Sequence, residues 1–465
     1  MAINLSRNTK VYFTTNVNAA TGVITDANSG FTNLNTFEIQ VQDGYSFSQG
    51  TNQTTIQIAE SGATPTRGQR AFNTSLNAVE FSFSTYIRPL ISTNVSAAEK
   101  VLWNALLGSK DLDDAGVAVT GLSRAATTGV GASVATLITG ATFVVGDTVN
   151  INGATSAGDW NQAAIVTAIP AAGTYTVELT KAPAIASGTT ATGAAMKVYT
   201  GQWAKGPGFS YASTMGSNKN QLQKFGMVFV VDSVVYLVDN CALDQASVDF
   251  GLDAISMVAW TGKGTALKQA TTITGSAMLG SAQMVTTTAN YITNKLSTMT
   301  LESNIGGAQN TATASTSYAI PITGGNITIA NNINYLVPTN LGIVNTAIGY
   351  YTGQRSITGN VTAYLRTGGS TDSGALLNAL LTGSATVTEP KFRVQLEMGG
   401  KANAIHLEFD MPGTVLQIPA VNVADVVATT INFVAQGYTP DVNGVSTPSF
   451  DITKTNDLTI RYFSA

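Results

Sequence analysis

The chain has one cysteine, Cys241, and one histidine, His406, among 465 residues. A single thiol excludes an intrachain disulfide, and these two residues are too small a set for a metal cluster. Cys241, in the strand after Val238, reads as a small buried apolar residue. Charge is also scarce: 11% of residues are charged, against roughly 25% in ordinary soluble domains. The net charge of −4 comes with no basic run, so the electrostatic footprint of a protein that grips phosphate backbones is missing. No uncharged apolar run approaches the roughly 18 residues that a membrane helix needs. The longest candidate, Gly226 to Val238, is broken by Asp232 and Ser233. The start, Met1 to Asn8, has no apolar signal-peptide core.

Motifs for chemistry are absent as well. Neither a nucleophile elbow nor a phosphate-cradling loop with its lysine occurs. The stretch Gly368 to Gly374 precedes a helix but lacks the lysine and the strand–helix–strand setting, so it reads as a loop and cap. Asp239, Asp244, Asp249 and Asp253 recur every four to five residues, a spacing that a strand does not place on one face. Neither an enzyme nor a cofactor is expected.

Strands fill the chain instead. The residues are 44% apolar, enough for two or three domains with cores of their own. Thr, Ser, Asn, Gly and Ala replace the missing charge, which makes a neutral, hydrogen-bonding surface. Charge depletion is also what a subunit with much buried contact area shows. Val11 to Thr15 and Phe37 to Val41 have strand character, and Asp43-Gly44 after the second is a strong hairpin signal. Val79 to Ile87 alternates apolar with Glu80, Ser82 and Ser84. Between Gln49 and Asn73 runs a long arm containing the alternating run Thr55 to Ala59; such an arm in a compact domain is usually functional.

The most telling pattern is a duplication. Leu102 to Leu107 reads LWNALL and Leu376 to Leu381 reads LLNALL, more than half the chain later. Tyr86-Ile87-Arg88 precedes the first copy and Tyr364-Leu365-Arg366 the second, each closing an alternating run. Phe37 to Gly44 likewise parallels Tyr318 to Gly325. Strand, turn, strand, loop, strand and helix thus occur twice in one order, too few and too large for a solenoid. The first helix is predicted over Ala97–Leu107 behind a Ser96…Glu99 capping box. Leu102 and Leu106, and in the second copy Leu376 and Leu380, are placed against a sheet. Asp372 or Ser373 caps the second helix. Strands are predicted after the first helix at 225–231, 234–238 and 256–260, and after the second at 392–398, 404–409 and 429–435.

The repeat is interrupted between Gly108 and Gln202, where the second copy passes almost at once from Gly383 to Phe392. From Gly121 to Val198 the composition shifts to Ala, Thr and Gly, with alternating runs at 147–151 and 174–179. A small all-β sandwich or barrel, projecting from a loop tip, is expected there. The tail from Gly437, ending Leu458 to Phe463, adds a last strand whose partner is left open.

Arg7 to Lys10, Val41 to Asp43, Thr64 to Gly68, Phe72 to Ile87, Ile320 to Gly325 and Ile329 to Leu336 together resemble the major tail tube proteins of long-tailed bacteriophages. The resemblance is closest to the type that fuses two tube domains in one chain, and covers nearly everything outside 119–198. It implies a mainly β fold with two tandem sandwich or barrel domains, each flanked by a short helix, plus the inserted module. The domains would be 1–118 with 199–268, 119–198 as an inserted sandwich-like decoration whose fold the resemblance does not supply, and 269–465. It further implies stacked trimeric, pseudo-hexameric rings forming a conduit for DNA ejection. The partners would be other copies, the tape measure protein and DNA in the lumen, and the tail terminator and baseplate or tip proteins. The place would be the virion, reached through the host cytoplasm. Gln49, Thr55, Ile56, Ile58, Arg67 and Arg70 become candidates for contact with the neighbouring ring, the two arginines being either ion-pair partners or solvated arm residues. The tube of a contractile tail or injection system is the nearest alternative. A surface adhesin shares the composition but would be expected to carry a signal peptide.

Overall fold

A computed structural model describes residues 9–25, 30–32, 35–56, 70–88, 99–107, 117–124, 134–143, 148–156, 160, 163–179, 188–193, 196–200, 222–232, 234–270, 291–303, 317–341, 344–384, 391–399, 406–422, 427–439, 449–450 and 457–463. It is mainly β, with two α-helices among these residues. β1 (Thr9–Thr14), β2 (Thr36–Ile39), β3 (Ser46–Ile56) and β4 (Arg70–Tyr86) lead to α1 (Lys100–Leu107). Then come β5 (Val117–Arg124), β6 (Val134–Thr139), β7 (Thr148–Asn152), β8 (Ala163–Ala171), β9 (Thr174–Leu179) and β10 (Lys197–Thr200). β11 (Phe225–Val231), β12 (Val234–Gly251), β13 (Met257–Gly264) and β14 (Ala266–Ala270) follow. The remaining elements are β15 (Thr298–Ser303), β16 (Ser317–Ile320), β17 (Ile322–Ala330), β18 (Ile333–Leu336), β19 (Gly349–Thr352), β20 (Ser356–Tyr364), α2 (Ser373–Ser384), β21 (Lys391–Met398) and β22 (His406–Leu416). β23 (Ala420–Asn422), β24 (Ala428–Ala435), β25 (Tyr438–Thr439), β26 (Ser449–Phe450) and β27 (Thr459–Phe463) complete the chain.

Two sets of strands pair identically. In the first, β1 pairs with β2 and β11, β12 with β11, β13 and β14, and β4 with β3 and β13. In the second, β15 pairs with β16 and β21, β22 with β21, β24 and β27, and β20 with β17 and β24. Each of the seven pairings in one set has its counterpart in the other. The long β12 belongs to two sheets: its first half lies between β11 and β14, its second half between β13 and β17. Asn240, at φ +46, marks the transfer. In the second set β22 makes the same transfer, but it stops at Leu416 and resumes as β23 beyond Pro419. The last strand, β27, pairs within the chain, on β22.

One pair of residues shows how closely the copies match. Phe81 on β4 lies over Gly262 on β13, where a Cβ would come within 2.3 Å of the ring. At the equivalent positions the residues are exchanged: Gly359 on β20 makes room for Phe433 on β24, again at 2.3 Å. Either arrangement fills the layer with one ring.

Between the sheets runs a single apolar core that includes residues of both sets. Trp103, Trp260, Phe13, Phe225, Phe229, Phe392, Phe409 and Phe433 are its largest fully buried side chains. Leu102 and Leu106 of α1, and Leu376 and Leu380 of α2, are buried in it. Asp372 caps α2: its Oδ1 accepts the Ala375 N–H at 2.8 Å and its Oδ2 the Gly369 N–H at 2.7 Å, which together hold its carboxyl below the usual range. Ser373 instead accepts the Arg366 N–H and donates to the Tyr364 carbonyl. Ser96 lies outside the described residues.

β5 to β10 close into a six-stranded barrel around a separate core that contains Trp160, Tyr175 and Phe143. Tyr175 donates a 2.6 Å hydrogen bond to the Ala141 carbonyl inside it.

The expected hairpin at Asp43-Gly44 does not form. Gly44 takes φ +97, as a turn requires, but β2 goes to β1 while β3 goes to β4, so the turn is a corner between sheets. The expected strand 234–238 is also far too short, since β12 continues to Gly251.

Candidate functional site

The most distinctive surface is a broad sheet with one dry and one wet face. β3, β4, β13, β12, β17, β20, β24 and β23 are hydrogen-bonded in that order, so the four-strand set β3-β4-β13-β12 is followed by its copy β17-β20-β24-β23. Because side chains alternate, Val79, Phe81, Phe83, Trp260, Val248, Ile327, Ile357, Val361 and Phe433 point into the core. The opposite face reads across the strands as rows of small polar groups. One row is Ser84, Ser247, Thr328 and Thr358, with the small apolar Ala259 between the two serines. Another is Asp249, Asn326, Asn360 and Asn432, in which Asn326 donates to Asp249 and to Ser247.

Among the described residues, charge on this face is confined to the first copy. Glu80 stands opposite Lys263 across β4 and β13, and Asp249 lies on β12. The equivalent residues of the second copy are Thr358, Val434 and Asn422, all uncharged. A wall of hydroxyls and amides offers weak, exchangeable hydrogen bonds and few places for a polyanion to be held by countercharge.

The arm residues lie on this wall and beyond it. Gln49, Thr55 and Ile56 are in β3 and Arg70 opens β4, with Thr55 opposite Ala71 and Ile56 opposite Arg70. The described part of the arm is therefore a continuation of the sheet as two paired strands, where a loop was expected. Gln49 is engaged within its own chain: it donates to the Asn77 carbonyl at 2.9 Å and accepts the Leu267 N–H at 3.2 Å. Ile58 and Arg67 lie outside the described residues.

A second arm escaped the sequence reading. β18 and β19 pair with each other and carry the exposed apolar residues Leu336 and Tyr351, with Leu341, Val344 and Ile348 exposed on the connection between them. Its base is docked on the first set of strands. The Tyr335 hydroxyl lies 2.7 and 2.8 Å from the carbonyl oxygens of Asn240 and Lys263, and Tyr350 donates to the Leu222 carbonyl at 2.9 Å. The Leu76 N–H donates to the Asn345 carbonyl at 2.8 Å. Burial raises Tyr335 well above the ordinary phenol and lifts Tyr350 to about 12. A phenol raised on folding stabilises fully below its unfolded value of roughly 10, and that contribution is lost as pH climbs through the folded value. In a spectrophotometric titration, the Tyr335→Phe, Tyr350→Phe double variant is expected to lose two phenols from the part of the curve that titrates above the ordinary phenol range. A curve that instead lost them near pH 10 would contradict the docking.

Among the described residues, no group of histidine, cysteine and carboxylates is arranged to hold a metal ion, and no helix is long and apolar enough to cross a membrane. Asp239 receives the Ile24 N–H and Lys268, and Asp244 accepts the Ile333 N–H at 2.6 Å, so both carboxylates fasten loops. Cys241 is buried, which pushes its thiol well up.

No protein-family model matches the chain. The tail tube protein pb6 of Escherichia phage T5 is 26% identical over 448 residues, covering 94% of this chain and 73% of that protein. The chain is thus β-rich, carries two matched strand sets, and is similar over nearly all its length to a phage tail tube protein.

Proposed function

We propose that this chain polymerises as rings of three copies, stacked into the tube through which DNA leaves a long-tailed phage. Each copy would supply two repeats to a pseudo-hexameric ring, divided as 1–118 with 199–268 and as 269–465, with 119–198 as a decoration outside. The observation that carries this reading is the wall itself, eight strands in which one four-strand order occurs twice. A unit that already joins its own copy edge to edge is built to go on joining, and a head-to-tail contact yields a ring when its rotation closes. Three copies would place twenty-four strands around a channel, with the Ser, Thr and Asn face inward.

The role is structural and requires no turnover. Weak countercharge along the wall suits a conduit, because phosphate contacts dominate affinity for DNA. The tape measure protein would occupy the same channel before DNA does, and terminator and baseplate or tip proteins would cap the ends. Assembly would take place in the host cytoplasm and the product would reside in the virion tail.

Electron microscopy of the purified protein over a range of concentrations tests the reading. Hollow tubes, or stacked rings with three projections each, are expected. Compact monomers at every concentration, including in the presence of a tail-tip initiator, would exclude it.

A further inference from the structure

A cavity of about 280 Å³ opens on the wet face of the first repeat, across β3, β4, β13 and β12. Its rim is made of hydroxyls: Ser46, Ser82 and Thr261 stand abreast on neighbouring strands, the two serines hydrogen-bonded at 2.8 Å. Its charges are Glu80 and Lys263, opposite each other across β4 and β13, and Asp244. Among the described residues no ion pair joins the Glu80 and Lys263 side chains, so both heads are available to a ligand.

The cavity is held in shape from behind. Asp244 is the extra residue of the bulge between Leu243 and Gln245, and a bulge re-aims a side chain that plain alternation would place elsewhere. Its Oδ1 accepts the Ile333 N–H at 2.6 Å, which fixes the carboxylate, while Oδ2 accepts no hydrogen bond among the described residues. The Tyr335 hydroxyl, 2.8 Å from the Lys263 carbonyl oxygen, braces the other side. The second repeat has none of this charge. Thr358 and Val434 stand where Glu80 and Lys263 do. Gln417, next after Leu416 as Asp244 is next after Leu243, accepts instead from the Asn432 amide at 3.4 Å.

We propose that this cavity receives a lysine or arginine side chain of the polypeptide that fills the channel before DNA, one for each chain and hence three around a ring. The inference rests on the tube reading above and deepens it by naming where, and by what chemistry, that polypeptide is held. The volume falls just short of the roughly 300–1,000 Å³ of small-molecule sites, so it suits one long side chain. Two carboxylates against one ammonium leave a net negative charge, and the surrounding serine and threonine oxygens accept the remaining donors of a cationic head. Lys263 repels that head from its own side and so directs it toward Glu80 and Asp244. The same carboxylates disfavour phosphate, so the genome passes a site that had gripped protein.

The probe is a fluorescein-labelled, alanine-rich helical peptide bearing lysines, titrated by anisotropy into the unassembled full-length chain at low salt. One peptide is expected to bind per chain, and salt of about 1 M, where the Debye length falls to about 3 Å, is expected to release it. Glu80→Gln with Asp244→Asn is expected to weaken binding at least about tenfold. The asparagine keeps an oxygen for the Ile333 N–H, so the bulge is retained. Asp249→Asn with Asp253→Asn removes the same charge from the first repeat outside the cavity and is expected to change affinity less than about twofold. Tubes formed in the presence of the peptide are expected to retain three per ring. Equal weakening by the two double variants, or release of the peptide by magnesium at equal charge, would reveal a diffuse acidic surface and overturn the proposal. Tubes that shut the peptide out would overturn the placement of the cavity on the channel. A chain that binds the peptide as expected in solution but never assembles would overturn the tube reading alone.

Discussion

Trp103→Ala is expected to destabilise the chain by about 3–5 kcal/mol, the range for deleting a large aromatic from a packed core. Trp103 sits at the crossing of everything that joins the repeats. Its ring meets Trp260 of β13 edge-on at 4.7 Å and Phe409 of β22 at 6.5 Å, and it has no solvent exposure. α1 is short and shielded on all sides, so the cavity has little freedom to collapse. The loss should show in chemical denaturation of the monomer as a lower midpoint. A larger consequence is expected for cooperativity, because Trp103 touches strands of both repeats. Two separated transitions, where the parent has one, would identify it as the coupling residue. Leu377→Ala, at the equivalent position of α2, touches a half-buried site and is expected to cost about 2 kcal/mol or less before assembly.

Asp410→Ala is the second large effect. Arg393 on β21 and Asp410 on β22 form a two-pronged ion pair, with Nε to Oδ1 at 2.8 Å and Nη2 to Oδ2 at 2.9 Å, and both side chains are buried. Removing one member of such a pair leaves the other charge in a poorly solvated place, which costs about 3–5 kcal/mol. Replacing both, as in Arg393→Met with Asp410→Leu, is expected to restore most of that loss, since an apolar pair carries no desolvation penalty. Thermal unfolding of the three variants checks this. A double variant as damaged as Asp410→Ala would show that the pair holds the two strands in a way packing cannot replace.

Much of this architecture was legible in the residues. The LWNALL and LLNALL helices, the strands that end at Tyr86 and Tyr364, and the composition shift after Gly121 each report a local period that the structure keeps. The second half of β12 was not legible. From Cys241 to Ser247 it runs Cys-Ala-Leu-Asp-Gln-Ala-Ser, and a bulge between Leu243 and Gln245 breaks the alternation that would have exposed it. Asp43-Gly44 misled for another reason: a turn signal fixes the bend but not which strands pair afterwards. The wet face of the wall has no motif, because its Ser, Thr and Asn residues come from eight separate strands and meet only through register. The second arm was missed because its apolar residues face outward, where periodicity predicts a core.

The exchanged pair of Phe81 over Gly262 and Gly359 under Phe433 bears on the history of the chain. In an oligomer of identical single-repeat subunits, one codon change alters every site around the assembly at once, and a clash or void at each must be tolerated together. Within a fused gene the two copies mutate separately, so each has found its own solution to the same volume. The barrel described in the first copy, and the charges described on its half of the wall, are further differences that such separate change allows.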